Sequence, residues 1–174
     1  MTPDPISYHG NPGRAYKLVN PSAARHHVAI MPIDNKALAR RWFDEVWNNR
    51  RKEVIYELAD PNLVTYGLAE GQKATGIPEF LPFYDRFIAT FPDIHITVED
   101  VIAEDDKTAV RLSATGTHTG DAMGIAPTGR PVRLTALILI RWKKGKIIEA
   151  WNEFDAWGMM QQIAAPAPMT IKEP

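Results

Sequence analysis

The spacing of apolar positions changes character twice along the chain. Residues 1–33 carry five prolines and sustain no period of two or of 3.6. They read as an arm, either loosely ordered or laid across the domain or a neighbouring subunit. From Asp34, a residue suited to cap a helix, Leu38, Trp42 and Val46 recur every four positions, and Phe43 and Trp47 widen the stripe. "RKEVIYELADP" continues as a second, shorter helix that Asp60-Pro61 should stop. "NLVTYG" is a short strand candidate. "GIPEFLPFYDRFIATFPD" makes a third helix, with Phe80, Tyr84, Phe87, Ile88 and Phe91 facing inward and Pro82 in or near the first turn.

From residue 94 the period falls to two. "IHITVEDVIAEDDKTAVRLSATGTH" reads as two strands around an Asp-Asp-Lys turn. "RPVRLTALILIRWKKGKIIEAWNEFD" reads as two more around Lys143-Lys144-Gly145. Helices followed by hairpin-linked strands predict an α+β fold: a cone-shaped barrel of three N-terminal helices packed on a curved antiparallel sheet. Ligand pockets form in mouths of that kind. The folded unit spans 34–164, and "APAPMTIKEP" at 165–174 is a Pro-rich tail.

Composition narrows the chemistry. The 174 residues are 45% hydrophobic and 24% charged, which suits one domain with a real core. Lys+Arg number 20 and Asp+Glu 21, so neither nucleic acid nor an anionic membrane is an expected partner. Cysteine is absent, which removes disulfides, thiolate metal sites and Cys nucleophiles. No apolar run approaches the roughly 20 residues of a bilayer span, and the N-terminus lacks a signal-peptide core. A cytoplasmic protein is therefore expected. His26 and His27 are adjacent and cannot share a helix face. His9, His95 and His118 lack ligand spacing with carboxylates, so no metal site is expected. "GTHTGDAMGIAPTG" lacks the helix and the Lys-Ser/Thr ending of a phosphate loop. There is no Gly-x-Ser-x-Gly elbow either.

The stretches "ALARRWFDEVWN", "FPDIHITVEDVIAEDDKTAVRLSATGTHTG", "MGIAPTGRPV" and "GKIIEAWNEFDAWGMMQQI" carry a likeness that their periods alone do not. Residues from about 35 to 163 resemble the SnoaL-like polyketide cyclases, a branch of the nuclear transport factor 2-like superfamily. The resemblance implies a general acid/base aspartate near the end of the last strand. That group removes a proton alpha to a carbonyl and returns one to the new alkoxide, closing an aldol ring without metal or cofactor. Its place, just before an apolar turn ending in Gln-Leu-Gly, is held here by Asp155, although Ile163-Ala164 stands where Leu-Gly is usual. The family usually dimerises through the open sheet face, so a homodimer is expected, and "LTALILI" could serve either that face or the core.

A regular last strand sends Glu149, Trp151, Glu153 and Asp155 one way and Ile148, Ala150, Asn152 and Phe154 the other, unless a bulge moves part of the set. Glu149 and Glu153 read as solvated. Asp155, between Phe154 and Trp157, either loses hydration among rings and shuttles a proton or caps the turn at Ala156. The family position favours the first. His118, closing a strand before a Gly-rich loop, is a second catalytic candidate. Tyr66, Tyr84, Trp151 and Arg141 are candidate substrate-binding residues for a small hydrophobic ligand, although Arg141 and Arg133 could equally pair with Glu149 or Asp155. Two other functions stay open: epoxide-type hydrolysis built on an Asp–Arg–Asp set, and ligand binding without catalysis.

Overall fold

The computed structural model describes residues 34–68, 73–122 and 124–164, so the expected arm and tail lie outside the described residues. Helix α1 (Asn35–Arg41) is capped as expected, since the Asp34 carboxylate accepts from the backbone N–H groups of Lys36 at 2.9 Å and Ala37 at 3.2 Å. The helix then widens into a π-helical segment, Trp42–Asn48. At its end the Asn49 N–H reaches back five residues to the Asp44 carbonyl at 2.9 Å. Residues four apart share a face, so Trp42, Phe43, Val46 and Trp47 are all buried on one side.

Helix α2 (Glu53–Leu58) buries Val54, Ile55 and Leu58 and passes straight into strand β1 (Ala59–Tyr66). The expected stop at Asp60-Pro61 thus falls inside a strand, where the register shifts between Ala59 and Val64. A proline costs no ladder bond at such an irregularity. Helix α3 (Ile77–Thr90) buries Phe80 and Tyr84 as its pattern predicts, with Pro82 one turn deeper than expected.

Strands β3 (His95–Glu104), β4 (Lys107–Thr117), β5 (Pro131–Lys143) and β6 (Lys146–Phe154) form the predicted meander. Its tight turns use positive φ at Asp105, at 50°, and at Lys144 and Gly145, at 52° and 76°. The short strand β2 (Lys73–Thr75) and helix α4 (Ala156–Ala164) were not foreseen. The sheet runs β2-β1-β6-β5-β4-β3 and is curved, with its two ends unpaired. It is also mixed rather than wholly antiparallel. Strand β1 lies parallel to β6, because the chain returns to β1's flank only after the whole meander.

The core lies between this sheet and the helices. Trp47 sits at the centre of a ring cluster, 5.2 Å from Tyr84, 5.6 Å from Phe87 and 6.4 Å from Phe80. The Tyr84 hydroxyl donates to the Val46 carbonyl at 2.9 Å and so ties α3 to the π-helical segment. Tyr84→Phe leaves that carbonyl without its partner, and equilibrium urea unfolding should show a loss of about 1–2 kcal/mol.

Candidate functional site

The inner face of the sheet is apolar because alternate residues of β4, β5 and β6 are. Leu112, Ala114, Leu134, Ala136, Ile138 and Phe154 wall a half-open cavity of about 90 Å³, roofed by Phe43, Trp47, Phe83 and Phe87. Asn152 is the one strongly polar side chain in that lining. Its amide nitrogen donates to the Tyr66 carbonyl at 2.7 Å, which holds the end of β1 against β6. Gly67 follows at φ +73°, and a Cβ there would overlap the Asn152 carbonyl. Only glycine allows this approach. A more enclosed chamber of about 50 Å³ continues inward past Phe43, Trp47, Leu68, Ile138 and Asn152 to Thr65 and Ala150.

None of the six residues singled out from the sequence lines either chamber. A bulge at Ile148, between the pairs Arg141–Glu149 and Trp142–Ile147, turns Ile147 inward, and beyond it the even-numbered residues of β6 face the cone. Glu153 is exposed on the other face, as expected, and Glu149 is half-buried there. Trp151 shares that outer face. Its ring stacks on Tyr66 at 5.7 Å and 13°, and the Arg141 guanidinium lies 5.9 Å from its centroid. Arg141 also meets Glu149 at 3.0 Å and Asp106 at 3.6 Å, the structural pairing that was its alternative. The structure therefore brings Tyr66, Trp151 and Arg141 together, but on the wrong side of the sheet to touch a ligand in the cone.

Tyr84 is buried in the core, where loss of hydration pushes its phenol up against the opposing pull of Arg50 and Lys52. His118 is fully buried rather than loop-exposed, with Nδ1 3.0 Å from the Thr128 hydroxyl and its ring 5.8 Å from Phe91. The backbone explains this, because the His118 N–H and carbonyl bond Arg130 and Gly129 across the loop and draw the residue inward.

Asp155 is exposed, and Trp157 beside it is 73% exposed, so the expected dry enclosure of rings is absent. Strand β6 ends at Phe154, and α4 starts with backbone N–H groups that need acceptors. Asp155 supplies one, its Oδ1 accepting from the Gly158 N–H at 2.8 Å, while its own N–H donates to the Thr135 carbonyl at 3.0 Å. A Cβ at Gly158 would overlap the Asp155 carboxylate, so that glycine permits the carboxylate's position. Asp155 still follows directly on Phe154, which lines the cavity, and no cation pairs with it among the described residues. Sequence reasoning missed Gly158, Thr65 and Asn152. Only Asn152 left a signal, as the polar member of an otherwise apolar alternating set.

The family model described as SnoaL-like polyketide cyclase matches residues 37–163. The chain is 25% identical over 140 residues to aklanonic acid methyl ester cyclase AcmA of Streptomyces galilaeus, covering 79% of this chain and 96% of that one. Among solved structures, a candidate SnoaL-like polyketide cyclase from Jannaschia sp. CCS1 superposes with a TM-score of 0.71 at 28% identity, over 76% of this chain and 92% of its own. Wild-type IdmH from Streptomyces antibioticus, a candidate polyketide cyclase, gives 0.66 at 31% identity, over 74% and 97%.

The cap geometry yields a stability prediction independent of any activity. Asp155→Ala should cost about 1 kcal/mol in thermal or urea unfolding, whereas Asp155→Asn, also a good cap, should cost only a few tenths. Equal losses for the two variants would show that the carboxylate does not cap α4.

Proposed function

Since the chain belongs to the SnoaL-like polyketide cyclase family, we propose that it closes a ring in a hydrophobic carbonyl compound by cofactor-independent acid–base chemistry, with Asp155 as the acid/base. The observation that carries this reading is the sequence of environments along β6. The half-open apolar cavity ends at Phe154, and the next residue is a carboxylate that accepts one backbone hydrogen bond among the described residues. The Asp155 carboxylate takes a proton from the carbon alpha to a carbonyl. The carbanion so formed attacks a second carbonyl carbon, making the ring C–C bond, and Asp155 returns its proton to the new alkoxide. An apolar ligand filling the cone supplies the desolvation that the free protein lacks, because its own surface covers the rim and excludes water from Asp155. His118 and Arg141 take no part in this scheme.

The substrate named for the relative AcmA, aklanonic acid methyl ester, is the first compound to test. Turnover followed by absorbance and mass spectrometry should fall about 10²–10⁴-fold in Asp155→Asn. Full activity in that variant would remove Asp155 from the chemistry.

A second reading, ligand binding without turnover, is favoured by the exposure of Asp155 in the free protein. It is the outcome if compounds bind in the cone and none is converted. Hydrolysis of the epoxide type has less support, since Arg141 is engaged by Glu149 and Asp106 on the outer face.

We propose further that the outer face pairs with a second copy of the chain. The strand register aligns Tyr66, Trp151, Leu139, Ala109 and Ile102 in one row across five strands, with Ile102 70% and Leu139 37% exposed. The flanking charges are already neutralised within the chain, as Arg111 with Asp100 and Arg141 with Glu149. The row itself carries no charge, and a second copy presents the same strip. Light scattering should give a dimer mass that Leu139→Lys lowers to that of a monomer. A monomeric wild-type protein would overturn the pairing.

A further inference from the structure

Three hydrogen-bonding side chains converge on the inner chamber, and the ring-closing chemistry uses none of them. Thr65 enters from β1, opposite Ala150 of β6, and Trp47 enters from the π-helical segment. They are 3% and 8% exposed. The Thr65 hydroxyl and the Trp47 indole N–H are both buried and have no hydrogen-bond partner among the described residues. Asn152 commits its amide nitrogen to Tyr66, and its side-chain oxygen accepts no bond among the described residues. Trp42 also lines the chamber, its other walls are aliphatic or phenyl, and no charged side chain lines it among the described residues.

Buried donors without acceptors are rare in native proteins, because the hydrogen bonds they made in water are forfeited. An indole N–H can only donate, a hydroxyl donates and accepts, and the free amide oxygen can only accept. Together they complement a neutral oxygen substituent. A keto oxygen accepts from Trp47 and Thr65, while a hydroxyl accepts from one of these and donates to Asn152. A carboxylate or phosphate finds no cation there and would give up its hydration uncompensated.

We propose that the inner chamber is a recognition subsite for one keto or hydroxyl oxygen on the leading edge of an otherwise apolar ring compound, held by Trp47, Thr65 and Asn152. The chamber volume of about 50 Å³ suits such a substituent and its ring edge. The subsite also acts as a ruler. Thr65 is level with Ala150, and Asp155 stands five steps of extended chain beyond Ala150, or roughly 16 Å. Anchoring the oxygen therefore selects which distant carbon meets the rim. The ruler rests on the proposed role of Asp155, whereas the subsite does not.

Equilibrium dialysis of the full chain against 2-naphthol, 2-methylnaphthalene and 2-naphthoate tests the assignment, because the first two differ in little but the oxygen. The protein should bind 2-naphthol about tenfold tighter than 2-methylnaphthalene, and 2-naphthoate more weakly than either. Thr65→Val and Trp47→Phe should each shrink the ratio of 2-naphthol to 2-methylnaphthalene affinity to about threefold or less, with cooperative thermal unfolding of each variant as the control for folding. Asp155→Asn should keep the full preference, so failure of the acid–base reading leaves this result standing. Equal binding of 2-naphthol and 2-methylnaphthalene by the wild-type protein, or a preference that survives both variants, would overturn the subsite.

Discussion

The register of the β5–β6 hairpin is the constraint from which the site follows. Its turn, Lys144-Gly145, has positive φ at both residues, and the bulge at Ile148 sets the phase of everything beyond it. With that phase, Ala150, Asn152 and Phe154 face the cone while Trp151 and Glu153 face outward. A slip by one residue would exchange the sets and put a carboxylate and an indole into the apolar chamber. The bulge sits where Arg141 gives way to Trp142, whose indole donates to Thr108 at 2.9 Å in the core. That buried bond and the half-buried Arg141–Glu149 pair hold neighbouring residues of β5 to opposite sides.

An apolar chamber makes its few polar atoms consequential. Water competes poorly inside it, so each donor or acceptor acts on a ligand with little dilution. The cone separates these groups by depth: Thr65 inside, Trp47 and Asn152 on both chambers, and Asp155 one residue beyond the Phe154 wall. Family membership supplies the class of chemistry, and this layout supplies a reason for it to be selective. The same strand that supports the chamber ends in the cap of α4. Folding therefore fixes the carboxylate one residue beyond the Phe154 wall before any ligand arrives.

The helical roof depends on a local departure from regularity. Phe43 and Trp47 line both chambers, and both lie in the π-helical segment. The two rings are four residues apart and so share one face of the segment, the face turned to the sheet. Its ends are tied down by Asn48, whose side chain donates to the Ile96 carbonyl at 2.9 Å and accepts from the Ile96 N–H at 2.7 Å. The roof is thus pinned to β3 by a polar pair beside the apolar wall.

Much of this was legible in the sequence because it is periodic. The stripe Leu38, Trp42, Val46 and the alternation after residue 94 depend on nearest neighbours along one element, and they predicted the helices, the hairpins and the cone. The cap at Asp34 was readable for the same reason. What the sequence could not settle were choices between equivalent faces. Alternation divides β6 into two sets without saying which one meets the helices, and so Trp151, Tyr66 and Arg141 were assigned to the cavity when they lie outside it. For Asp155 the chain offered two roles, and the start of α4 decided that in the free protein it is an exposed cap. Thr65, 18 residues after Trp47 in sequence, becomes its neighbour in the chamber only when β1 closes beside β6. Contacts of that kind are made by packing between elements, and no local pattern encodes them.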